Sequence, residues 1–303
     1  MRKVYKPVLI LVIVTMVIGS FSAKASTVSA SGKTSGADLD VGLKVMTYNL
    51  RYLNDSDPSP HTWAERLPAI KKLIRKEKPG IFGTQEVLYQ QLKDLEGSLP
   101  KYEWIGLGRE GGSKGEYSAI FYNEKRYTPL EYDHFWLSDT PNVVGSKTWG
   151  NSITRMVTWA KFVDKKSKQK FYVVNTHFDH ESANAREKSA ELILEKVNEF
   201  DSGLPIVLTG DFNAGPESVP HQTLTSEGAF DDLWEAAEVK INADLGTANG
   251  FEDPNGGGPE NRIDWILAKG GISGHSIEIL NYRKNGQFPS DHYPVIANMT
   301  MSH

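Results

Sequence analysis

Short apolar runs that end on a polar cluster, or lead out of one, constrain this chain more than any other feature. Leu43 to Leu50 reads as a buried strand with Asn49 near its end, and Ile81 to Glu86 as a second that closes on Gln85-Glu86. Lys170 to Thr176 runs into His177, and Leu204 to Gly210 runs into Asp211-Phe212-Asn213. Ser290-Asp291-His292 leads into the last run, Pro294 to Met301. Runs of this length, rich in β-branched and aromatic residues, suit buried strands. Strands of one sheet bring their ends to a common rim, so the polar clusters can meet there.

Helical periodicity separates several of these strands. It extends over Trp63 to Lys76, through Leu67, Ile70, Leu73 and Ile74, and stops at Pro79-Gly80. A helix is expected from about Val87 to Glu96, and the clearest one from Ala183 to Phe200, with Leu192, Ile193, Val197 and Phe200 on its apolar face. Tyr102 to Leu107, Tyr117 to Tyr122, Tyr127 to Leu137 and Thr154 to Val163 read as strands, as do Arg262–Ala268 and Ser276–Tyr282. The charged stretch 164–168 suits a hairpin turn. Gly108 to Gly115 is expected to be a mobile loop, and 138–152 and 246–261 are expected to be loops. Strands and helices alternate in the first half, with strand pairs between. Two packed sheets with outer helices fit this pattern better than one purely parallel sheet.

The start of the chain is not fold. Arg2, Lys3 and Lys6 precede the apolar stretch Val8 to Ile18, and Ala23-Lys24-Ala25 fits a small-x-small cleavage site. Residues 1–25 therefore read as a secretory signal peptide cut near Ala25. About twelve apolar residues are short against the roughly twenty a membrane span needs, so no stable membrane insertion is expected after cleavage. Residues 26–40 are a flexible lead-in rich in Ser, Thr, Gly and Ala, and 41–303 form one large catalytic domain. With no cysteine, the chain carries neither a disulfide nor a lipid-modified thiol. An exported protein without disulfides suits a Gram-positive bacterium. The full chain has net charge −4, and loss of 1–25 removes four basic residues and no acid. So acidic a body does not draw polyanions from a distance; nucleic acid is a possible but not a tightly bound partner.

Metal-assisted hydrolysis of a phosphoester needs hard oxygen ligands, a group that prepares water, and donors that hold the phosphate oxygens. Candidates for every role are present. Asn49 can offer its amide oxygen to a metal or orient a carboxylate; its plain alternative is a turn residue. Glu86 is a ligand or a favourable helix-start acid. Asp211 and Asn213, two apart on extended chain, can share a face. Asp264 lies among apolar neighbours and needs a partner, either a histidine to orient or a nearby arginine. Asp291 can serve the metal and His292 the phosphate. His177, Asp179 and His180 could instead hold zinc, although no further ligand set stands nearby. Trp104, Trp159 and Trp265 read as core. His61, Trp63, Trp149 and Phe251 could wall a substrate pocket.

In order along the chain, Thr47-Tyr48-Asn49, Gln85-Glu86, Asn175-Thr176-His177, Gly210-Asp211-Phe212-Asn213, Arg262-Ile263-Asp264 and Ser290-Asp291-His292 resemble the motifs of the endonuclease/exonuclease/phosphatase superfamily, over roughly residues 43–301. The resemblance implies a four-layer α/β sandwich, two central mixed β-sheets flanked by helices, with its site at one rim. It implies Glu86 as the main ligand of Mg²⁺ (or Mn²⁺ or another divalent cation), with Asn49 and Asp291 close to the ion. It gives Asp211 the attacking water, Asn213, His177 and His292 the phosphate, and Asp264 a histidine to orient, either His177 or His292. Arg155 resembles an arginine that approaches the phosphate in some members, and His180 stands where abasic-site endonucleases carry an Asn. The expected activity is hydrolysis of a phosphodiester or phosphomonoester by in-line attack of water in a monomer. An extracellular nuclease, or a non-catalytic carbohydrate- or surface-binding protein that keeps the fold, are the other readings.

Overall fold

The computed structural model describes residues 41–302. The expected signal peptide at 1–25 and the lead-in at 26–40 lie outside the described residues.

The chain begins with β1 (Val41–Asn49), α1 (Trp63–Glu77), β2 (Ile81–Gln85), α2 (Tyr89–Ser98), β3 (Tyr102–Ile105) and β4 (Ile120–Asn123). It continues through β5 (Tyr127–Trp136), β6 (Met156–Asp164), β7 (Lys170–His177), α3 (Ala183–Val197) and β8 (Ile206–Asp211). Then follow α4 (Val219–Leu224), β9 (Asp231–Asp232), α5 (Leu233–Ala236), β10 (Val239–Ile241), β11 (Asp264–Lys269), β12 (Ile272–Ile279) and β13 (Val295–Met301). A seven-stranded sheet has the order β10-β12-β13-β1-β2-β4-β3, and a six-stranded sheet the order β5-β6-β7-β8-β11-β9. Both sheets mix parallel and antiparallel pairs.

Side-chain alternation along the central strands builds the layers. In β1, Leu43 and Val45 enter the core between the sheets, while Met46 and Tyr48 join the core that α1 and α2 cover. In β7, Phe171 and Val173 face between the sheets, while Tyr172 and Val174 face the core beneath α3. Three buried cores between four layers give the expected α/β sandwich.

Near the rim, the packing between the sheets turns polar. Asn175 Nδ2 of β7 donates to the carbonyls of Thr84 (2.9 Å) and Ala119 (3.0 Å). Its Oδ1 accepts from Gln85 Nε2 (2.7 Å) and Thr209 Oγ1 (3.0 Å). This latch ties the sheets directly below the polar strand ends. Gly83 makes room for it: a Cβ there would stand 2.4 Å from Asn175 Oδ1 and 2.5 Å from Thr209 Oγ1.

Candidate active site

Sheet register carries the reactive side chains to one place. Parallel pairing of β7 with β8 sets His177 beside Asp211, and antiparallel pairing of β11 with β8 sets Asp264 opposite the same Asp211. In the other sheet, β1 and β2 end together at Asn49 and Gln85. Asn49 then bridges the sheets: its Nδ2 donates to Glu86 Oε1 (3.0 Å) and to Asp211 Oδ2 (2.9 Å). The backbone is strained around this point. Arg51, Glu86 and Asn213 hold φ of 55°, 64° and 48°, a left-handed conformation that side chains other than glycine seldom adopt. Such strain collects at functional sites.

The two imidazoles differ in charge, one cationic and one neutral. His292 Nδ1 stands 2.8 Å from Asp264 Oδ2, and its Nε2 3.8 Å from Asp211 Oδ2. Burial alone would lower His292, but the Asp264 and Asp211 carboxylates outweigh it and hold the ring well above its ordinary range, as an imidazolium. His177 is held well below that range, by burial first and then by the cations of Arg155 and His292. Its Nε2 lies 3.0 Å from Asn213 Nδ2, an arrangement in which a neutral ring accepts the amide proton. Asn213 also donates to the Phe178 carbonyl (3.0 Å), and its own N–H donates to Asp211 Oδ1 (2.9 Å).

The acids suit a cation. Carboxylate oxygens of Glu86 and Asp211 and a nitrogen of His177 lie within 4.8 Å of one another. Burial, then Asp264, pushes the Asp211 carboxyl up; burial pushes Asp291 up too, and Glu86 adds to that rise. Gathered, partly desolvated carboxylates of this kind are stabilised by a hard divalent ion with oxygen ligands.

A model of the endonuclease/exonuclease/phosphatase family matches residues 46–292. The chain belongs to this family. It is 36% identical to an endonuclease/exonuclease/phosphatase family protein from Bacteroides thetaiotaomicron of known structure, with a TM-score of 0.82 over 87% of this chain and 99% of that one. It is also 36% identical to a mannosyl-6-phosphatase of the same organism, with a TM-score of 0.80 over 86% and 100% of the two chains. A Saccharomyces cerevisiae protein named as a probable RNA exonuclease is 27% identical over 210 residues, which are 62% of this chain and 40% of that protein. The protein is a metal-dependent phosphoric ester hydrolase.

Within the family site, some expectations change. Asn49 turns its amide nitrogen to Glu86 and Asp211 while its Oδ1 accepts one hydrogen bond, from the Arg51 N–H (3.0 Å), so it orients the acids and keeps a second lone pair on Oδ1. Asp211 lies within 4.8 Å of Glu86. Asp291 is close enough for Glu86 to raise its carboxyl; it also stands 3.7 Å from Arg51 Nη1 and takes a hydrogen bond from its neighbour Ser290 (3.2 Å). The histidine that Asp264 orients is His292, while Arg262 pairs with Asp232 (2.8 Å). Among the described residues, His177, Asp179 and His180 do not gather as a metal-ligand group: His177 faces Asn213, and Asp179 Oδ1 accepts from the N–H groups of Glu181 and Ser182 at the start of α3.

Arg155 is buried and lines a cleft with Glu86, Arg109, Glu116 and His177. His180 lies above it, half exposed, with Nδ1 3.0 Å from Arg155 Nη2. Trp149 is outside the cleft lining. It packs with Phe135, Leu137 and Phe178, and its Nε1 donates to Asp139 (2.7 Å), because the 138–152 loop folds back over the core beneath α3. Trp63 is likewise core, bonded to Asp94 (2.8 Å). His61 and Phe251 stack on each other at 4.3 Å; the residue before Phe251, Gly250, donates its N–H to the Asp291 carbonyl. Arg109, Glu116 and Arg51 escaped the sequence reading. The first two sit in or beside a glycine-rich stretch, and nothing local marks their position next to His177.

Proposed function

We propose that this protein hydrolyses a phosphate monoester of a small polar alcohol, with Mg²⁺ or Mn²⁺ as its cation, by in-line attack of water. The observation that carries the reading is the convergence on Asp211 of a neutral His177, a cationic His292 and the Asn49 amide, beside Glu86. Asp211, its carboxyl raised by burial, takes the proton of the attacking water. His292, held charged by Asp264, faces the negative charge that grows on the phosphoryl oxygens. Asn213 fixes the ring of His177 and the carboxylate of Asp211 together. Glu86 and Asp211, with Asp291 near, would hold a divalent ion, which would supply Lewis-acid polarisation of the phosphoryl group.

Three observations favour a small monoester. The cleft beside His177 is narrow, the chain is acidic, and the mannosyl-6-phosphatase from Bacteroides thetaiotaomicron is matched over its whole length. The second reading, a nuclease, draws support from the probable RNA exonuclease of yeast, which this chain matches over less than half of that protein's length. A turnover panel separates them: p-nitrophenyl phosphate, bis-p-nitrophenyl phosphate, sugar phosphates, sphingomyelin, RNA and DNA, each with Mg²⁺ or Mn²⁺ and with EDTA. Monoesters should turn over fastest. A preference for bis-p-nitrophenyl phosphate or for RNA overturns the monoesterase reading. We also propose that the protein acts outside the cell after cleavage near Ala25, on the strength of the basic and apolar start of the chain. No helix among the described residues is long and apolar enough to cross a membrane. N-terminal sequencing of protein from culture medium tests the cleavage.

A further inference from the structure

We propose that the pole of the domain opposite the catalytic rim is a docking surface for an anionic lipid membrane, which holds the enzyme with its active site facing water. This surface is remote from the reaction centre, and its role does not depend on which ester is cleaved.

Four turns make up the pole, and hydrogen bonds join them into one surface. The Gly80 carbonyl of the α1–β2 turn accepts from the Asn123 N–H at the end of β4 (2.9 Å). In the β4–β5 turn, Glu124 N donates to the Lys101 carbonyl of the α2–β3 turn (3.2 Å), and the Arg126 carbonyl accepts from Lys165 N of the β6–β7 turn (2.8 Å). Both β2 and β7 start at this pole and end at the rim, at Gln85 and His177. With 8 residues of extended chain, β7 puts roughly 23 Å between the two ends.

The charge of these turns is opposite to that of the chain. Overall, 38 acidic residues outnumber 34 basic ones. Yet residues 75–78, 99–101, 124–126 and 164–170 together carry ten basic residues against three acids. Two of those acids are turned inward. Asp164 is buried and pairs with Arg126 (2.9 Å), and the Glu77 side chain, only 12% exposed, is held by Lys44 and Lys76. Glu124 is left as the exposed acid of the four turns. The exposed cations are Arg75, Lys76 and Lys78 on the first turn, Lys101 and Lys125 on the next two, and the four lysines of 165–170. Cations gathered in this way attract an anionic membrane within about a Debye length, and each adds to the binding.

A cavity inside the patch selects lipid over a soluble polyanion. It measures about 320 Å³, and no carboxylate lines it. Arg75, Lys78 and Lys101 line it beside Leu99, Pro100 and Tyr102. The three cations can hold a headgroup phosphate while the apolar side chains meet the glycerol and first acyl carbons of the same molecule. Single-stranded nucleic acid would instead need open aromatic faces for its bases, and the four turns carry no aromatic residue.

The test is co-sedimentation of the chain lacking residues 1–25 with vesicles of phosphatidylcholine alone, or of equal parts phosphatidylcholine and phosphatidylglycerol. The apolar start is left out because it would itself bind lipid; all three cores lie in the part retained. Wild type should bind the mixed vesicles at least about tenfold better than phosphatidylcholine, and high salt should abolish the difference. Two double variants, Lys78→Glu with Lys101→Glu and Lys166→Glu with Lys168→Glu, should each lower that binding by about tenfold or more. Their turnover of p-nitrophenyl phosphate in solution should stay at the wild-type rate, and wild type bound to vesicles should keep the rate of the free enzyme. Equal binding to both vesicles, or variants that bind like wild type, would overturn the docking surface. Displacement from mixed vesicles by duplex DNA or polyphosphate at equal phosphate concentration would overturn the lipid assignment in favour of a polyanion. Loss of turnover on the vesicle would overturn the orientation. A wild type that binds mixed vesicles but is inactive on p-nitrophenyl phosphate would sink the monoesterase reading and support the docking surface.

Discussion

Replacing Asp264 separates the chemistry of the site from its stability. The Asp264 carboxylate is buried and touches His292 Nδ1 at 2.8 Å through Oδ2, while its Oδ1 has no hydrogen-bond partner. Asp264→Asn can keep a hydrogen bond to Nδ1, but a neutral one. A hydrogen bond to a charged group contributes about 1.5–3 kcal/mol and a neutral one about 1 kcal/mol. The Asn variant therefore forfeits roughly 0.5–2 kcal/mol of ring orientation and charge, and Asp264→Ala forfeits about 1.5–3 kcal/mol. At 1.36 kcal/mol per decade, these correspond to about 2- to 30-fold and 10- to 150-fold losses in kcat/KM. Thermal stability without metal should change little in the Asn variant. Asp211 remains 3.8 Å from His292 Nε2 as counter-charge, and removing one of two adjacent buried acids relieves the other. The assay is p-nitrophenyl phosphate turnover at saturating Mn²⁺, beside melting curves in EDTA. Turnover of Asp264→Ala within twofold of wild type would refute the role given to the Asp264–His292 pair.

Other substitutions test the scaffold. Gly83→Ala drives a Cβ into Asn175 Oδ1 and Thr209 Oγ1; such overpacking costs about 1–3 kcal/mol. Its melting temperature should fall by roughly 2–12 °C, and an unchanged melt would remove the latch from the account. Asp232 is buried between His221 (2.9 Å) and Arg262 (2.8 Å). Burial would raise its carboxyl, but these partners outweigh it and hold it below the ordinary value. A depressed carboxyl stabilises above the ordinary carboxylate range and loses that contribution as pH falls through its folded value. Asp232→Asn should therefore destabilise by about 3–5 kcal/mol near neutral pH, and the gap from wild type should narrow in acid; a gap independent of pH would contradict this. Trp149→Ala should cost about 3–5 kcal/mol in stability with KM for the monoester unchanged. A raised KM would return Trp149 to the substrate pocket.

The strand ends were legible because each apolar run closes on its polar cluster. Asn49, Glu86, His177, Asp211, Asp264 and His292 could thus be named from spacing and resemblance. Which atoms meet was not legible. The direction of the Asn49 amide depends on an acceptor 162 residues away, and the choice of His292 over His177 for Asp264 depends on the register of β11 against β8. Gly83 and Asn175 form their latch across two sheets, a contact that no local pattern encodes. The 108–115 stretch was expected to be mobile because glycine-rich segments usually are. Gly108 instead serves close backbone packing, and the hairpin presents Arg109 and Glu116. Trp149 was expected in the pocket because it lies in a loop, but that loop closes on the core beneath α3.

The most direct test is a metal add-back titration on purified protein. Phosphomonoester turnover should vanish in excess EDTA and return on adding Mg²⁺ or Mn²⁺, and no amount of either ion should restore it in folded Glu86→Gln or Asp211→Asn. Turnover that survives EDTA, or an Asp211→Asn variant with wild-type rates, would contradict the assignment of this rim as a cation-dependent phosphoester centre.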